Sequence, residues 1–359
     1  MKGICFFNTA KAWGGGEKWH YEVSHYLHKK GYAVLVIAHN NGALIKKLRA
    51  SGIPNEGIEL GNLSFLNPFK YLALLKLIRG YNLDTIILNL SSDVKIAGLC
   101  AKKLGYKRII YRRGSAIPIR NTVLNRFYFK KVLTEVLANS NATKKTILEH
   151  NDTLIAKEKI FVIHNGITIS KEAEVVEEKN HSELVLLNLG RLEFQKNQKF
   201  LIELAQELKD RKLHYKMLIG GEGRLRPELT KMITDYKLAN DVELNGFIED
   251  PISFINKADI FLLPSFWEGF GYVLAEAALC KKPIVAFNTS SNPELVIDGK
   301  TGYLTPKSEL NLFADKIVEL ATDKEKRIQF GLNGRKHIIE NFDKTKQLQK
   351  VERYLLDEE

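Results

Sequence analysis

Short apolar runs alternate with stretches of helical periodicity along almost the whole chain, a pattern that predicts parallel sheets covered by helices on both faces. In the first half the runs fall at 3–7, 33–38, 84–88, 107–111, 135–138 and 160–163, and the helical stretches between them include 17–29, 69–79 and 94–103. The pattern stops at 169–182, a mostly charged and polar stretch of the kind that links domains, and then restarts. Strands are predicted at 184–189, 215–219, 241–245, 259–263 and 283–287, and helices at 198–210 and 227–237. The expected fold class is α/β, with two doubly wound Rossmann-like domains, 1–169 and 170–341, and a last helix near 342–356. Two such domains facing each other would place a cleft at the carboxyl ends of both sheets, where folds of this kind bind ligands.

Composition narrows the class. At 359 residues, with 45% hydrophobic and 27% charged, the chain is an ordinary folded protein with room for two cores. The 54 Lys+Arg against 42 Asp+Glu give a net charge of +12, which points to anionic partners: phosphates, nucleic acid or an anionic membrane face. Cys5, Cys100 and Cys280 are far apart and form no Cys-x-x-Cys pair, so neither a zinc knuckle nor a disulfide framework is expected, which suits a reducing cytosol. The apolar run Ile4-Cys5-Phe6-Phe7 is shorter than the roughly 7 residues of a signal-peptide core. No run approaches the roughly 18 apolar residues of a spanning helix. A cytoplasmic protein is expected, with any membrane contact peripheral and at the inner face.

The candidate chemistry sits where predicted strands give way to helices. In 264–277, Gly269 and Gly271 permit a tight turn after the strand at 259–263, and the helix that follows offers free N–H groups and a positive dipole to an anion. Glu268 lies on that turn and Glu276 a little over a turn into the helix, placed to reach hydroxyls on either side of a phosphate. After the strand at 184–189 come Arg191 and Lys196, two cations suited to a leaving diphosphate. Gly220-Gly221-Glu222-Gly223 closes another strand, and two readings are open for it: close approach to phosphate, or a tight turn alone. Gly14-Gly15-Gly16-Glu17 follows the first strand in the same way, without the Gly-x-Gly-x-x-Gly spacing of a dinucleotide site. No Asp-x-Asp occurs, so the common carboxylate grip on a metal diphosphate is missing; neither a metal nor any other cofactor is expected.

Taken in order, Gly14-Gly15-Gly16, Asn165-Gly166-Ile167, Gly190-Arg191 with Lys196, 220–223, Glu268 to Glu276, Pro283-Ile284-Val285-Ala286 and 292–304 resemble the retaining glycosyltransferases of family four. That family has the GT-B architecture of two facing Rossmann-like domains. The resemblance implies transfer of a sugar from a nucleotide-diphosphate sugar, a substrate and not a cofactor, to a saccharide or lipid-linked acceptor in cell-surface glycan synthesis of the lipopolysaccharide type. It further implies retention of anomeric configuration without a metal. By it, Arg191 and Lys196 hold the donor diphosphate, Glu268 the transferred sugar and Glu276 the ribose, and amides of Phe270, Gly271 and Tyr272 add phosphate contacts; Gly15, Gly16 and Gly221 complete the donor-binding set. In many members the last helix crosses back to the first domain.

One departure concerns the acceptor. Many members carry a histidine after the strand at 107–111, where this chain has Tyr111-Arg112-Arg113-Gly114-Ser115. Arg112 and Arg113 read either as binders of a phosphorylated or acidic acceptor or as a solvated pair. The stretch 120–137 mixes Arg120, Arg126, Lys130 and Lys131 with apolar residues and reads as a helix that docks on an anionic membrane leaflet, or as core. Two other functions remain in view: a nucleotide-sugar epimerase on the same architecture, and a basic nucleic-acid-binding protein. The second is disfavoured because no helix-turn-helix, zinc-finger or aromatic RNP pattern appears, so no nucleic-acid partner is expected.

Overall fold

The structure is a computed structural model and describes residues 3–169 and 183–356. The predicted linker lies, from Ser170 on, outside the described residues. The chain divides into two compact units, Met1–Asn165 with Lys346–Glu359, and Gly166–Thr345.

Unit 1 is a seven-stranded parallel sheet: β1 (Gly3–Asn8), β2 (Val34–His39), β3 (Asn55–Ile58), β4 (Leu83–Leu88), β5 (Arg108–Arg113), β6 (Glu135–Ala138) and β7 (Ile160–Val162), in the order β3-β2-β1-β4-β5-β6-β7. Ile4 of β1 stands beside Val34 of β2 on one side and Thr85 of β4 on the other. Because helices cover both faces, β1 and β2 are buried along their whole length and read as unbroken apolar runs. Successive side chains feed opposite layers. Phe7, Ile86 and Leu88 pack with the helices Pro68–Arg79 and Ser91–Lys103, while Phe6, Val36 and Ile87 pack with the helices Gly15–Lys29 and Ala43–Arg49.

The terminal helix Lys344–Leu356 completes that second layer with Val351 and Leu355. Its Glu352 accepts from Lys30 at 2.6 Å and from Tyr26 at 2.7 Å, and its Tyr354 donates to Glu135, the carboxylate paired with Arg108 at 2.8 Å. The 14 residues Lys346–Glu359 thus belong to unit 1.

Unit 2 is a six-stranded parallel sheet: β8 (Leu184–Leu189), β9 (Tyr215–Gly220), β10 (Val242–Gly246), β11 (Ile260–Leu263), β12 (Ile284–Phe287) and β13 (Gly302–Thr305), in the order β10-β9-β8-β11-β12-β13. Phe200, Phe287 and Phe313 meet edge to face at 4.9–5.8 Å on one side of it. On the other side Phe261, Leu263 and Ala277 join Ile338 of the long helix Lys324–Phe342.

In each sheet the chain starts in the middle, builds outward one way, then returns to build the other way. The reversal leaves a switch point between β1 and β4 in unit 1 and between β8 and β11 in unit 2. There the loops leave neighbouring strands in opposite directions and open a crevice at the carboxyl ends.

The predicted helix over 120–137 does not form as one element. A short helix Val123–Phe127 runs into one wide turn, Tyr128–Val132, after which Leu133 is extended and β6 begins. The apolar residues of the stretch serve opposite ends: Tyr128, Phe129, Val132 and Leu133 enter the core of unit 1, whereas Val123, Leu124 and Phe127 face solvent.

Candidate functional site

At the switch point of unit 2, β8 ends in Gly190 and Arg191, continues into a single helical turn Phe194–Lys196, and re-enters the helix Gln198–Asp210 through Asn197, which takes the left-handed φ of 55°. β11 ends in the loop 264–271, from which the helix Tyr272–Leu279 starts at Gly271 with φ 78°. The two loops are stitched together: the Phe266 amide donates to the Gln195 carbonyl at 2.9 Å, and the Gln195 side-chain amide to the Trp267 carbonyl at 2.8 Å. Thr289 and Ser291 hydroxyls tie down the carbonyls of Phe266 and Glu268 from the next loop.

This stitching brings Lys196 and Glu268 together across 72 positions of sequence. Lys196 Nζ donates to Glu268 Oε1 at 2.6 Å, with the two side chains 13% and 7% exposed. In so dry a setting either charge alone would cost several kcal/mol, so each secures the other. Arg191 is exposed, and its guanidinium makes no hydrogen bond among the described residues. Glu276 lies one turn into the helix, half-buried. The Phe270 ring is buried against Tyr272 and Phe342 at 5.1 and 5.6 Å, which leaves its backbone as the part able to meet a ligand.

Gly221 is explained by the loop itself. It has φ 133°, and a Cβ there would lie 2.0 Å from the Gly190 carbonyl oxygen, while a Cβ on Gly223 would lie 2.3 Å from that of Leu192. Leu192 N donates to the Glu222 carbonyl at 2.9 Å, so the loops after β8 and β9 touch backbone to backbone. Tight backbone packing by itself requires glycine at both positions.

At the switch point of unit 1 a different set converges. Glu17, 7% exposed, lies in the first turn of the helix Gly15–Lys29, and its Oε1 accepts from the side-chain amides of Asn8 at 3.1 Å and Asn89 at 3.2 Å. Gly16 admits Asn89: a Cβ there would meet that amide at 2.8 Å. Beside them Asp93 accepts from the Thr9 hydroxyl and from the Leu90 amide at 2.9 Å, and burial pushes its carboxyl up to about 7 despite those bonds.

Arg112 corrects an expectation. It is 3% exposed, donates to Asn165 Oδ1 at 3.0 Å and lies over the Trp19 ring at 5.1 Å, so it is not a solvated cation. The neighbouring His20 is driven down to about 3, first by burial and then by that guanidinium. Arg113 turns to the Tyr111 hydroxyl at 3.2 Å and the Ile117 carbonyl. Sequence reasoning named Glu17 only as the end of the glycine run and passed over Asn8, Asn89 and Asp93; polar residues closing otherwise apolar strands were the signal for Asn8 and Asn89.

Fold and site together define a protein of two Rossmann-like units with a cation and carboxylate pair at the switch point of the second. A family model described as Glycosyltransferase Family 4 matches residues 13–171, and one described as Glycosyl transferases group 1 matches 170–337. Between them they take in most of the chain, which belongs to this glycosyltransferase family and has its GT-B architecture. The poly(ribitol-phosphate) alpha-N-acetylglucosaminyltransferase of Staphylococcus aureus is 28% identical over 225 residues, 62% of this chain and 46% of that one. The N-acetylgalactosamine-N,N'-diacetylbacillosaminyl-diphospho-undecaprenol 4-alpha-N-acetylgalactosaminyltransferase of Campylobacter jejuni is 27% identical over 307 residues, 82% of each chain. Anabaena HepE, solved in complex with UDP, superposes with a TM-score of 0.85 at 22% identity, over 99% of this chain and 100% of its own, a likeness of fold. The chain spans about half to two thirds of the length of three of the curated relatives it matches.

Proposed function

We propose that the protein transfers a sugar from a nucleoside-diphosphate sugar to a saccharide or lipid-linked acceptor of a cell-surface glycan, with retention of anomeric configuration and without a metal ion. The observation that carries this reading is the buried Lys196–Glu268 pair beside the exposed Arg191, at the switch point of unit 2 and next to the opening of the helix Tyr272–Leu279.

Breaking the bond between the anomeric carbon and the β-phosphate oxygen leaves an additional negative charge on the diphosphate. Arg191, Lys196 and the first amides of that helix are the donors that meet this charge. Lys196 is engaged by Glu268 before the donor arrives. A diphosphate that draws the ammonium toward itself leaves the Glu268 carboxylate to accept from hydroxyls of the sugar, and Glu276 does the same for the ribose. A bond then forms from the anomeric carbon to the acceptor oxygen on the face the phosphate leaves, and the acceptor's proton departs with the diphosphate, so no separate protein base is required.

Support for the acceptor class comes from relatives whose names specify a ribitol-phosphate polymer and a diphospho-undecaprenol saccharide, and for a uridine donor from the HepE complex. Peripheral contact with an anionic leaflet is supported by solvent-facing apolar residues on unit 1, with Phe69 80% and Val123 74% exposed and Leu63, Leu66 and Leu72 close in sequence to the first. Lys70, Lys76, Arg79 and Arg126 are interspersed with them. No helix among the described residues is long and apolar enough to cross a membrane.

The test incubates the protein with UDP-glucose, UDP-galactose and UDP-N-acetylglucosamine, with and without undecaprenyl-diphosphate saccharides in anionic liposomes, and with and without EDTA. The expected result is a glycosylated lipid that forms only when an acceptor is present, keeps the donor's anomeric configuration and is unaffected by EDTA. Epimerised donor in the absence of acceptor, or turnover abolished by EDTA, would overturn the reading.

A further inference from the structure

Glu268 is gripped at both of its peptides. The peptide that enters its Cα carries the Trp267 carbonyl, which accepts from the Gln195 side-chain amide at 2.8 Å. The peptide that leaves it carries the Glu268 carbonyl, which accepts from the Ser291 hydroxyl at 3.3 Å. One peptide earlier, the Phe266 carbonyl accepts from the Thr289 hydroxyl at 3.0 Å. Three successive carbonyls are therefore held by side chains. Because a peptide is planar, the two that flank Glu268 set its φ and ψ, and the carboxylate has only its side-chain torsions left. A carbonyl only accepts, so the nitrogen of the Gln195 amide is the atom that faces Trp267.

Gln195 differs from the two hydroxyls in where it comes from. Thr289 and Ser291 belong to the loop after β12, whereas Gln195 precedes Lys196 in the single helical turn Phe194–Lys196, so it joins the loop of the cation to the loop of the carboxylate. The Lys196–Glu268 ion pair joins the same loops, but the reaction above opens that bond when a diphosphate draws the ammonium away. Among the described residues, the polar and ring contacts that then remain between the loops are neutral. They are the Gln195 side-chain bond, the Phe266 amide on the Gln195 carbonyl at 2.9 Å, and the Phe194 ring against Phe266 and Trp267 at 5.0 and 6.2 Å. Only the first of these holds a peptide that flanks Glu268.

We propose that Gln195 is a positioning residue: it holds the peptide before Glu268, so that the carboxylate keeps its aim at the transferred sugar after Lys196 has turned to the diphosphate. The inference deepens the function proposed above and rests on it for the roles of Lys196 and Glu268. A small displacement of the carboxylate leaves the diphosphate contacts in place, so the loss falls on the reacting sugar and not on the nucleotide.

The test compares the full-length wild type with Gln195→Met, which keeps the length of the side chain and loses the donor, and with Gln195→Asn, which keeps the amide but is one methylene too short to reach. Tyr215→Phe serves as the control. It deletes another buried hydrogen bond of unit 2, from Tyr215 to the Ala205 carbonyl at 2.6 Å, at the first residue of β9 and so at the other end of the sheet. Melting temperature and UDP affinity are measured for each, together with kcat and donor KM for whichever of UDP-glucose, UDP-galactose and UDP-N-acetylglucosamine the wild type transfers to an undecaprenyl-diphosphate saccharide. Both Gln195 variants are expected to lower kcat about tenfold while UDP affinity stays within about twofold of wild type, and Tyr215→Phe is expected to keep the wild-type kcat. Wild-type kcat in Gln195→Met, UDP affinity that falls in parallel with kcat, or an equal loss of kcat in Tyr215→Phe would overturn the inference and leave the proposed function standing. A wild type that transfers none of the three sugars would sink that function, and this inference with it.

Discussion

Lys196 and Glu268 hold each other at 2.6 Å in a place where water hardly reaches, so under the proposed function the same two groups serve donor binding and stability. Removing one partner strands the other charge, so Lys196→Ala is expected to lower the melting temperature as well as donor affinity. Glu268→Gln keeps shape and can still face the ammonium with its carbonyl oxygen. It is expected to lower kcat about 10²- to 10³-fold with a much smaller change in donor KM, as for a contact made to the reacting sugar; equal losses in kcat and in melting temperature for both variants would make the pair merely structural. Asp93 gives a pH signature. Burial raises its carboxyl to about 7 from the ordinary 3.8, so the folded state holds a proton that the unfolded chain releases, and stability falls as pH rises from about 4 to about 7. Asp93→Asn removes that slope, and the melting temperature of the variant minus that of the wild type should climb across this window in scans from pH 4 to 8. At this scale the sequence offered Lys196, Glu268 and Arg191 as candidates, because charged residues at strand ends stand out against apolar runs. It did not show that Arg112 is buried, since that depends on Trp19 and on Asn165, 53 positions away. Nor did it show that the Glu17 carboxylate is held in place, because one of the groups that holds it is Asn89, 72 positions on.

Among the elements, the buried central strands were legible as continuous apolar runs. β3 escaped because Asn55-Glu56-Gly57-Ile58 is a half-exposed edge with one large apolar residue. β13 escaped because its four residues follow a turn at Gly299 without a run of their own. The long helix Lys324–Phe342 was hidden by its own sparseness: Phe330, Gly331, Gly334, Arg335, Ile338 and Phe342 are its buried residues, and two of the six are glycines. Gly331 lets it approach the turn after the helix Tyr272–Leu279 closely, since a Cβ there would lie 1.9 Å from the Lys281 carbonyl oxygen. The loops at the switch point of unit 2 depend on Gly221 in a similar way. Gly221→Ala is expected to be destabilising by about 1–3 kcal/mol from the backbone conformation alone, with more from the collision with Gly190. Because the displaced loop carries Gly190 and Arg191, donor affinity should fall with it, and a variant with wild-type melting temperature and donor KM would refute the account of this loop.

At the scale of the whole chain, two sheets with the same switched order do different electrostatic work. Unit 2 offers Arg191 and Lys196 at its switch point, and unit 1 offers a carboxylate held by two amides. Two α/β domains were readable from the repeated strand–helix pattern, and the family from motifs spread over 14–304. The anchoring of the last helix in unit 1 was available from family resemblance alone, since its buried Val351 and Leu355 say nothing by themselves about which sheet they cover. The central claim is that the cations of unit 2 hold a diphosphate without a metal. Calorimetric titration of UDP into the full chain in EDTA tests it most directly, with uridine as the control and Arg191→Ala as the variant. The account predicts that UDP binds as well in EDTA as in magnesium and that Arg191→Ala weakens UDP about tenfold or more while leaving uridine unchanged. UDP binding that disappears in EDTA, or that ignores the loss of Arg191, would contradict it.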